Sequence, residues 1–172
     1  MIFKGINNQT VEFRITNYQF PEITDCEYDS NWLLVYLKVK SDCGNWETVD
    51  PSLLARDLKD IIEWFEQLSN DIETNSDFLT FMEPNLEFRL NKKSTDKKQI
   101  RITFDLESRH PNAKDDEEFY VDCEFNNKEL KQIVSELKKE AELFPERATN
   151  KKPAYNNGYN SLWQKVKTKF NL

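Results

Sequence analysis

Hydrophobic and polar residues alternate along several stretches of the chain, the pattern of strands buried on one face. Val11, Phe13 and Ile15 lie on one side while Glu12, Arg14 and Thr16 lie on the other. Leu86, Phe88 and Leu90 alternate with Glu87 and Arg89. Ile100, Ile102, Phe104 and Leu106 oppose Arg101, Thr103, Asp105 and Glu107. Phe119, Val121, Cys123 and Phe125 alternate with Tyr120, Asp122 and Glu124. One-sided alternation predicts antiparallel pairing with one dry and one wet face. Trp32 to Val39 differs, because Trp32, Leu34 and Tyr36 make the second face partly apolar as well. That pattern suits a central strand, or one whose second face is covered near its start. A turn at Ser41 to Asn45 then leads into a short strand, Trp46 to Val49.

Two segments carry the helical period. Asp50 is an acceptable N-cap and Pro51 suits a first helical position, where the missing N–H costs nothing. Leu54, Leu58, Ile61, Ile62, Phe65 and Leu68 follow at three- and four-residue steps, a stripe that must face a core. The second helix is expected to begin near Asn126 and Asn127, with Glu129 in its first turn. It carries Leu130, Ile133, Val134, Leu137, Ala141 and Phe144 on one side and stops before Pro145. The expected fold is α+β: an antiparallel sheet with one face covered by two amphipathic helices. Past Pro145 a polar linker, Thr149 to Asn160, leads to Leu162, Trp163, Val166 and Phe170, which fit a short C-terminal helix. The chain thus divides into a single domain over 1–147 and a polar, lysine-rich tail over 148–172.

Charge sharpens that division. Of 172 residues, 24 are Lys or Arg and 31 Asp or Glu, a net charge of −7. The five lysines and absence of acids over 151–172 give +5 there, so residues 1–150 carry −12. Phosphate binding needs a basic face, which disfavours nucleic acid as a partner of the acidic body. The chemical inventory excludes more. The one histidine, His110, precedes Pro111 and reads as an exposed loop residue, so His-based triads and zinc helices are absent. Cys26, Cys43 and Cys123 are odd in number and show no C-x-x-C spacing, which points to a reducing compartment. Cys123 reads as a small hydrophobe within a strand. Neither common phosphate-cradling glycine loop occurs, and no cofactor-binding or metal-ligating set emerges. The amino terminus lacks a secretory pattern and no apolar run is long enough to span a bilayer, so a cytoplasmic protein without membrane contact is expected.

Three constellations remain. Glu22, Asp25, Glu27 and Asp29 fall between two strands, and Asp115, Asp116, Glu117 and Glu118 fall in the loop entering the strand of Phe119. Such clusters are either solvated surface or a negative patch that selects a basic partner. The acid-x-lysine triplet Glu129-Leu130-Lys131 opens a helix rather than lying on a strand, which argues against metal-dependent nuclease chemistry. Trp32, Tyr36 and Trp46 could line a ligand groove, although burial is the usual role of large aromatics, and it accounts better for Trp64 and Phe65.

The landmarks together resemble the WapI type of small bacterial immunity proteins. The carrying residues are Asn31-Trp32-Leu33, then Gly44-Asn45-Trp46 and Asp50-Pro51, then Trp64 and Leu68. The run from Phe81 through Glu83-Pro84-Asn85-Leu86 to Phe88 and the strand Ile100 to Glu107 complete the set. The likeness spans residues 3–147. It implies a non-enzymatic protein that binds and neutralises a cognate bacterial toxin domain in the cytoplasm, and an acidic body suits a basic toxin such as a nuclease. Contact residues vary with the toxin, so none carries over; the two acidic clusters are the contact set expected from charge alone. The alternative is a ligand-binding or scaffold module using Trp32, Tyr36 and Trp46.

Overall fold

The alternating segments pair as antiparallel strands, but they divide between two sheets where the pattern suggested one. The structure, a computed structural model, describes residues 1–94, 96–114 and 116–147, so the expected C-terminal helix and lysine-rich tail over 148–172 lie outside the described residues. The first sheet runs β1 (Ile2–Lys4), β2 (Thr10–Tyr18), β3 (Trp32–Ser41) and β4 (Gly44–Leu54), each beside the next. After α1 (Ala55–Ser69), the second sheet repeats that order with β5 (Phe78–Thr80), β6 (Leu86–Lys93), β7 (Lys98–Phe104) and β8 (Phe119–Phe125). Helix α2 (Asn127–Leu143) follows. The α+β class holds, and so does the antiparallel pairing.

The inward rows follow from register. Phe3 pairs with Val11, Val11 with Val39, Phe13 with Leu37, and Val39 with Trp46, all buried. In the second sheet Leu86 pairs with Phe104 and Phe104 with Phe119, while Ile102 lies between Phe88 and Val121. These rows fill one core together with Leu58, Ile61, Phe65 and Leu68 of α1 and Leu130, Ile133, Val134 and Leu137 of α2. Phe65 lies 6.0 Å from Phe3 of the first sheet and 5.7 Å from Phe88 of the second, so α1 touches aromatic rings from both. At another point the sheets meet directly, with Trp46 set edge-on to Phe104 at 5.4 Å and to Phe119 at 5.6 Å. Edge-to-face rings at such separations add to the area they bury.

The helix starts separate one success from one correction. Asn126 caps α2 as the sequence suggests, its side chain accepting the Glu129 N–H at 3.0 Å while Glu129 accepts the Asn126 N–H at 2.8 Å. Pro51 does not open α1. It stays in β4 opposite Leu34, beside a register shift, and the helix starts four residues later. There the Asp57 carboxylate accepts the Leu54 N–H at 2.7 Å. A proline in an edge strand removes no ladder hydrogen bond if its nitrogen faces outward, so an Asp-Pro pair fits both contexts.

Lys98 is fully buried, because its place in β7 shares the inward row with Ile100, Ile102 and Phe104. Its ammonium reaches Asp71 at 2.5 Å and also Asn127. Asp71 sits just past α1 with φ 58°, in a terminal turn closed by Ile72 N–H to Gln67 O at 2.9 Å. This triangle ties the end of α1, the start of β7 and the start of α2 together. The ammonium beside Asp71 holds that carboxyl below its ordinary range, with Asn127 adding to the effect.

The two sheets join at Gly5, which forms an isolated antiparallel bridge with Cys123. A Cβ at Gly5 would lie 2.6 Å from Val121 Cγ1 and 2.9 Å from Gln9 Cβ. Gly5→Ala is therefore expected to destabilise the fold by about 2 kcal/mol through overpacking. Adding Val121→Ala should recover part of the loss caused by the alanine, as measured by a double-mutant cycle in urea.

Candidate functional site

The first acidic cluster lies on the β2–β3 connection, and that connection is held at both ends. Gln19 N–H bonds to Trp32 O at 2.8 Å, and turns close through Ile23 N–H to Phe20 O and Asn31 N–H to Tyr28 O. The main restraint comes from a residue far away in sequence. The Arg147 guanidinium donates to the carbonyls of Pro21 and Ile23, both at 2.9 Å, and lies 3.5 Å from the Tyr18 ring centroid. Buried Asn31 completes the clasp. Its side chain donates to Glu27 O at 2.8 Å and Arg147 O at 3.2 Å, and accepts the Arg147 N–H at 2.7 Å. Because Arg147 bonds to carbonyls, the loop is fixed with Glu22, Asp25 and Glu27 exposed and Asp29 half-buried. Glu27 approaches Arg56 at 3.8 Å.

The second cluster is placed differently. Asp116, Glu117 and Glu118 are exposed before β8, and Asp115 lies outside the described residues. Glu117 accepts the Lys114 N–H at 3.0 Å. These acids share a groove of about 550 Å³ with Arg89, Arg101 and Arg109. Arg101 forms a two-pronged pair with Asp122 at 2.7 and 2.8 Å and stacks 3.7 Å from the Tyr120 ring centroid. Arginines in the same groove offset part of the negative field there.

The structure does not bring the two clusters together. One abuts Trp32 at the start of β3. The other lies toward the far end, where His110 stacks on Phe119 and packs against Gly44 of the β3–β4 hairpin. Nine residue steps along β3 amount to about 30 Å. A partner with an ordinary footprint of about 800 Å² centred on one cluster leaves the other at or beyond its rim. His110 itself corrects an expectation: it is half-buried between Trp46, Phe119 and Gly44.

The aromatic alternative does not assemble either. Trp46 is 6% exposed, faces the core and donates its indole N–H to Ser108 O at 2.9 Å. Trp32 and Tyr36 lie half-buried on the opposite face of the first sheet, where Arg14 stacks on Tyr36 at 4.4 Å. Period-two geometry puts these residues on different faces, so the three do not rim one groove. Cys123 is buried as a small hydrophobe, its thiol pushed up to about 12 by desolvation. Among the described residues no group of His, Cys, Asp and Glu is arranged to hold a metal ion, and no helix is long and apolar enough to cross a membrane.

Several sequence landmarks prove to be cross-links within the fold. Asn85, buried after Glu83-Pro84, donates to Asp50 of the Asp-Pro pair at 3.1 Å, and its carbonyl accepts the Asp105 N–H at 2.9 Å. Asn31 binds Arg147, Trp46 binds Ser108, and the Trp64 indole N–H donates to Ser76 O at 3.0 Å. Lys98 and Arg147 escape a sequence reading, since nothing local signals partners so far along the chain.

Two expectations follow. Asn31→Ala leaves Arg147 and Glu27 backbone groups without their partner and should cost about 2 kcal/mol, with faster amide exchange across residues 20–30. The second concerns Asp57, whose carboxyl is pushed above its ordinary range chiefly by burial, against the lowering effect of the Leu54 N–H. The folded chain then keeps a proton the unfolded chain has released, so this residue's contribution to stability falls as pH rises. The window opens near the unfolded aspartate value of about 3.9 and extends up into the raised folded range. Asp57→Asn should flatten that part of the stability–pH curve, measured by urea unfolding across it.

No curated protein and no solved structure matches the chain. A family model does match, over residues 1–145, which takes in both sheets and both helices; the chain belongs to the immunity protein WapI-like family.

Proposed function

We propose that this protein binds and neutralises a cognate toxin domain of a bacterial polymorphic toxin system, by occupation rather than catalysis, in the cytoplasm of the cell it protects. Family membership over residues 1–145 carries the reading. The surface we assign to the partner is the acidic β2–β3 loop, with Asp115, Asp116, Glu117 and Glu118 as a second, separate patch. The loop is the stronger contact for a physical reason. Arg147 and Asn31 hold its backbone before any partner arrives, so little ordering remains to be lost on binding. Carboxylates on such a loop can lie where phosphates would lie in the cationic cleft of a nuclease, and so exclude its substrate. Opposite charge of this kind speeds encounter and selects partners more than it deepens affinity.

The test is co-expression with the variable C-terminal region of a large secreted protein encoded beside this chain's gene. Rescue of growth together with co-purification supports the reading, and neither occurring overturns it. Reversing charge in the triple variant Glu22→Lys, Glu27→Lys and Asp29→Lys should slow association about tenfold at low ionic strength and weaken its salt dependence. Dissociation should change less. Unchanged association kinetics would remove the electrostatic mechanism while leaving the immunity role standing.

A further inference from the structure

Trp32, Leu34 and Tyr36 alternate along β3 with the buried Leu33, Val35 and Leu37, so they share the outward face of the first sheet. Register extends this group sideways: Leu34 pairs with Pro51, and Tyr36 lies between Arg14 and Val49. Val49 is 54% exposed, and the Arg14 guanidinium stacks on the Tyr36 ring. The apolar stripes of α1 and α2 belong to the common core, and this outer group is not part of it. Large apolar side chains gathered on a wet sheet face are the kind of surface that a partner covers.

Charge divides the face along β3. Glu12 pairs with Arg14 at 3.1 Å and Lys38 with Glu47 at 2.6 Å, while Glu47 also accepts the Tyr36 hydroxyl at 3.1 Å. Toward the β3–β4 hairpin, Lys4, Thr10 and Lys40 form one cross-strand row, so that end is cationic. At the other end Trp32, Leu34, Pro51, Thr16 and Asn17 carry no charge, and there the face adjoins the acidic β2–β3 loop. The loop itself exposes Phe20 and Tyr28, the latter under the Arg56 guanidinium that also approaches Glu27. A basic partner led in by the loop is thus admitted to the uncharged end and opposed at the hairpin end. Steering charge governs encounter more than affinity. Affinity concentrates in desolvated aromatic and arginine side chains near the centre of a contact, ringed by polar groups. Trp32, Tyr36 and Arg14 are of that kind. From Trp32 to Tyr36 is about 13 Å of strand, so loop and patch fit within one contact of about 800 Å².

We propose that the basic domain steered by the acidic loop is anchored on the outer face of the first sheet. An apolar ridge of that domain lies across Trp32, Leu34, Tyr36 and Val49, and the contact ends before Lys38 and Lys40. This rests on the proposed function and deepens it: the loop governs association, and the sheet face governs dissociation.

The test follows association and dissociation separately, between the full-length chain and the variable C-terminal region of the secreted protein encoded beside its gene. The double variant Tyr36→Thr and Val49→Thr keeps strand-forming residues at both positions and removes the anchor. Its dissociation should be about thirtyfold faster, with association retained. Lys40→Thr, beyond the edge of the contact, should leave dissociation unchanged. Thermal melting of both variants confirms that the fold is kept. Hydroxyl-radical footprinting of the complex supplies a second readout. Labelling of Trp32 and Tyr36 should fall on binding, and that of Phe78 and Met82, exposed in and beside β5, should not. Unchanged dissociation in the double variant, or no protection of Trp32 and Tyr36, overturns the anchor, while growth rescue by the parent keeps the immunity reading. Equal acceleration by Lys40→Thr overturns it too. So does protection of the same residues in the chain alone as its concentration is raised, which assigns the face to a second copy. A parent that neither binds nor rescues overturns the proposed function itself, and the anchor with it.

Discussion

The two four-stranded sheets bury their apolar rows in one interior, partly against each other and partly against the helices, and this shared need shapes the molecule. Each presents one apolar row to the interior and one polar row to water, and both interior rows empty into a single core with the helices. The join at Gly5 fixes how closely the sheets approach, because only a residue without a Cβ leaves room for Val121. Phe3, two positions earlier, then meets Phe13, Phe65 and Phe88, drawing two sheets and a helix onto one ring. In a well-packed interior such a ring has little freedom to shift without moving its neighbours.

A core shared in this way leaves polar cross-links to hold its margins, and several residues behind the family likeness serve that role. Asp50 and Asn85 connect the two sheets, Trp46 anchors the turn at Leu106–Ser108, and Asn31 holds the end of the described chain. All of them are inward or tied down. The outward carboxylates of the β2–β3 loop are not needed for these contacts. The frame and the presenting surface are thus made by different residues, an arrangement that lets a surface change its partner without changing the fold.

The sequence discloses the strands and the helical stripes because period and burial are coupled within each segment. It does not disclose which strands become neighbours. Alternation in Ile100 to Phe104 is equally compatible with one sheet or two, and the division depends on contacts such as Gly5 with Cys123, far apart along the chain. Asp50-Pro51 misleads for a local reason: the residues that cap a helix also suit the end of an edge strand, and the buried cap of Asp57 on Leu54 decides between them. The charged loop is legible as composition. Its rigidity is not, since the restraint is an arginine more than 120 residues away from the carbonyls it binds.

Net charge is a poor guide to what such a surface does. At physiological ionic strength exposed charges are screened over about 8 Å, while the two acidic clusters lie toward opposite ends of β3, a strand about 30 Å long. Each therefore acts through its immediate surroundings. Around Asp116, Glu117 and Glu118 those surroundings include Arg89, Arg101 and Arg109, and the local field is mixed. Around Glu22, Glu27 and Asp29 the guanidinium that organises the loop, Arg147, is directed at backbone oxygens. Arg147 thus fixes the loop's geometry without pairing with its carboxylates, and Arg56, 3.8 Å from Glu27, offsets only part of the loop's charge. That combination, more than the total of −7, is what a basic partner would meet.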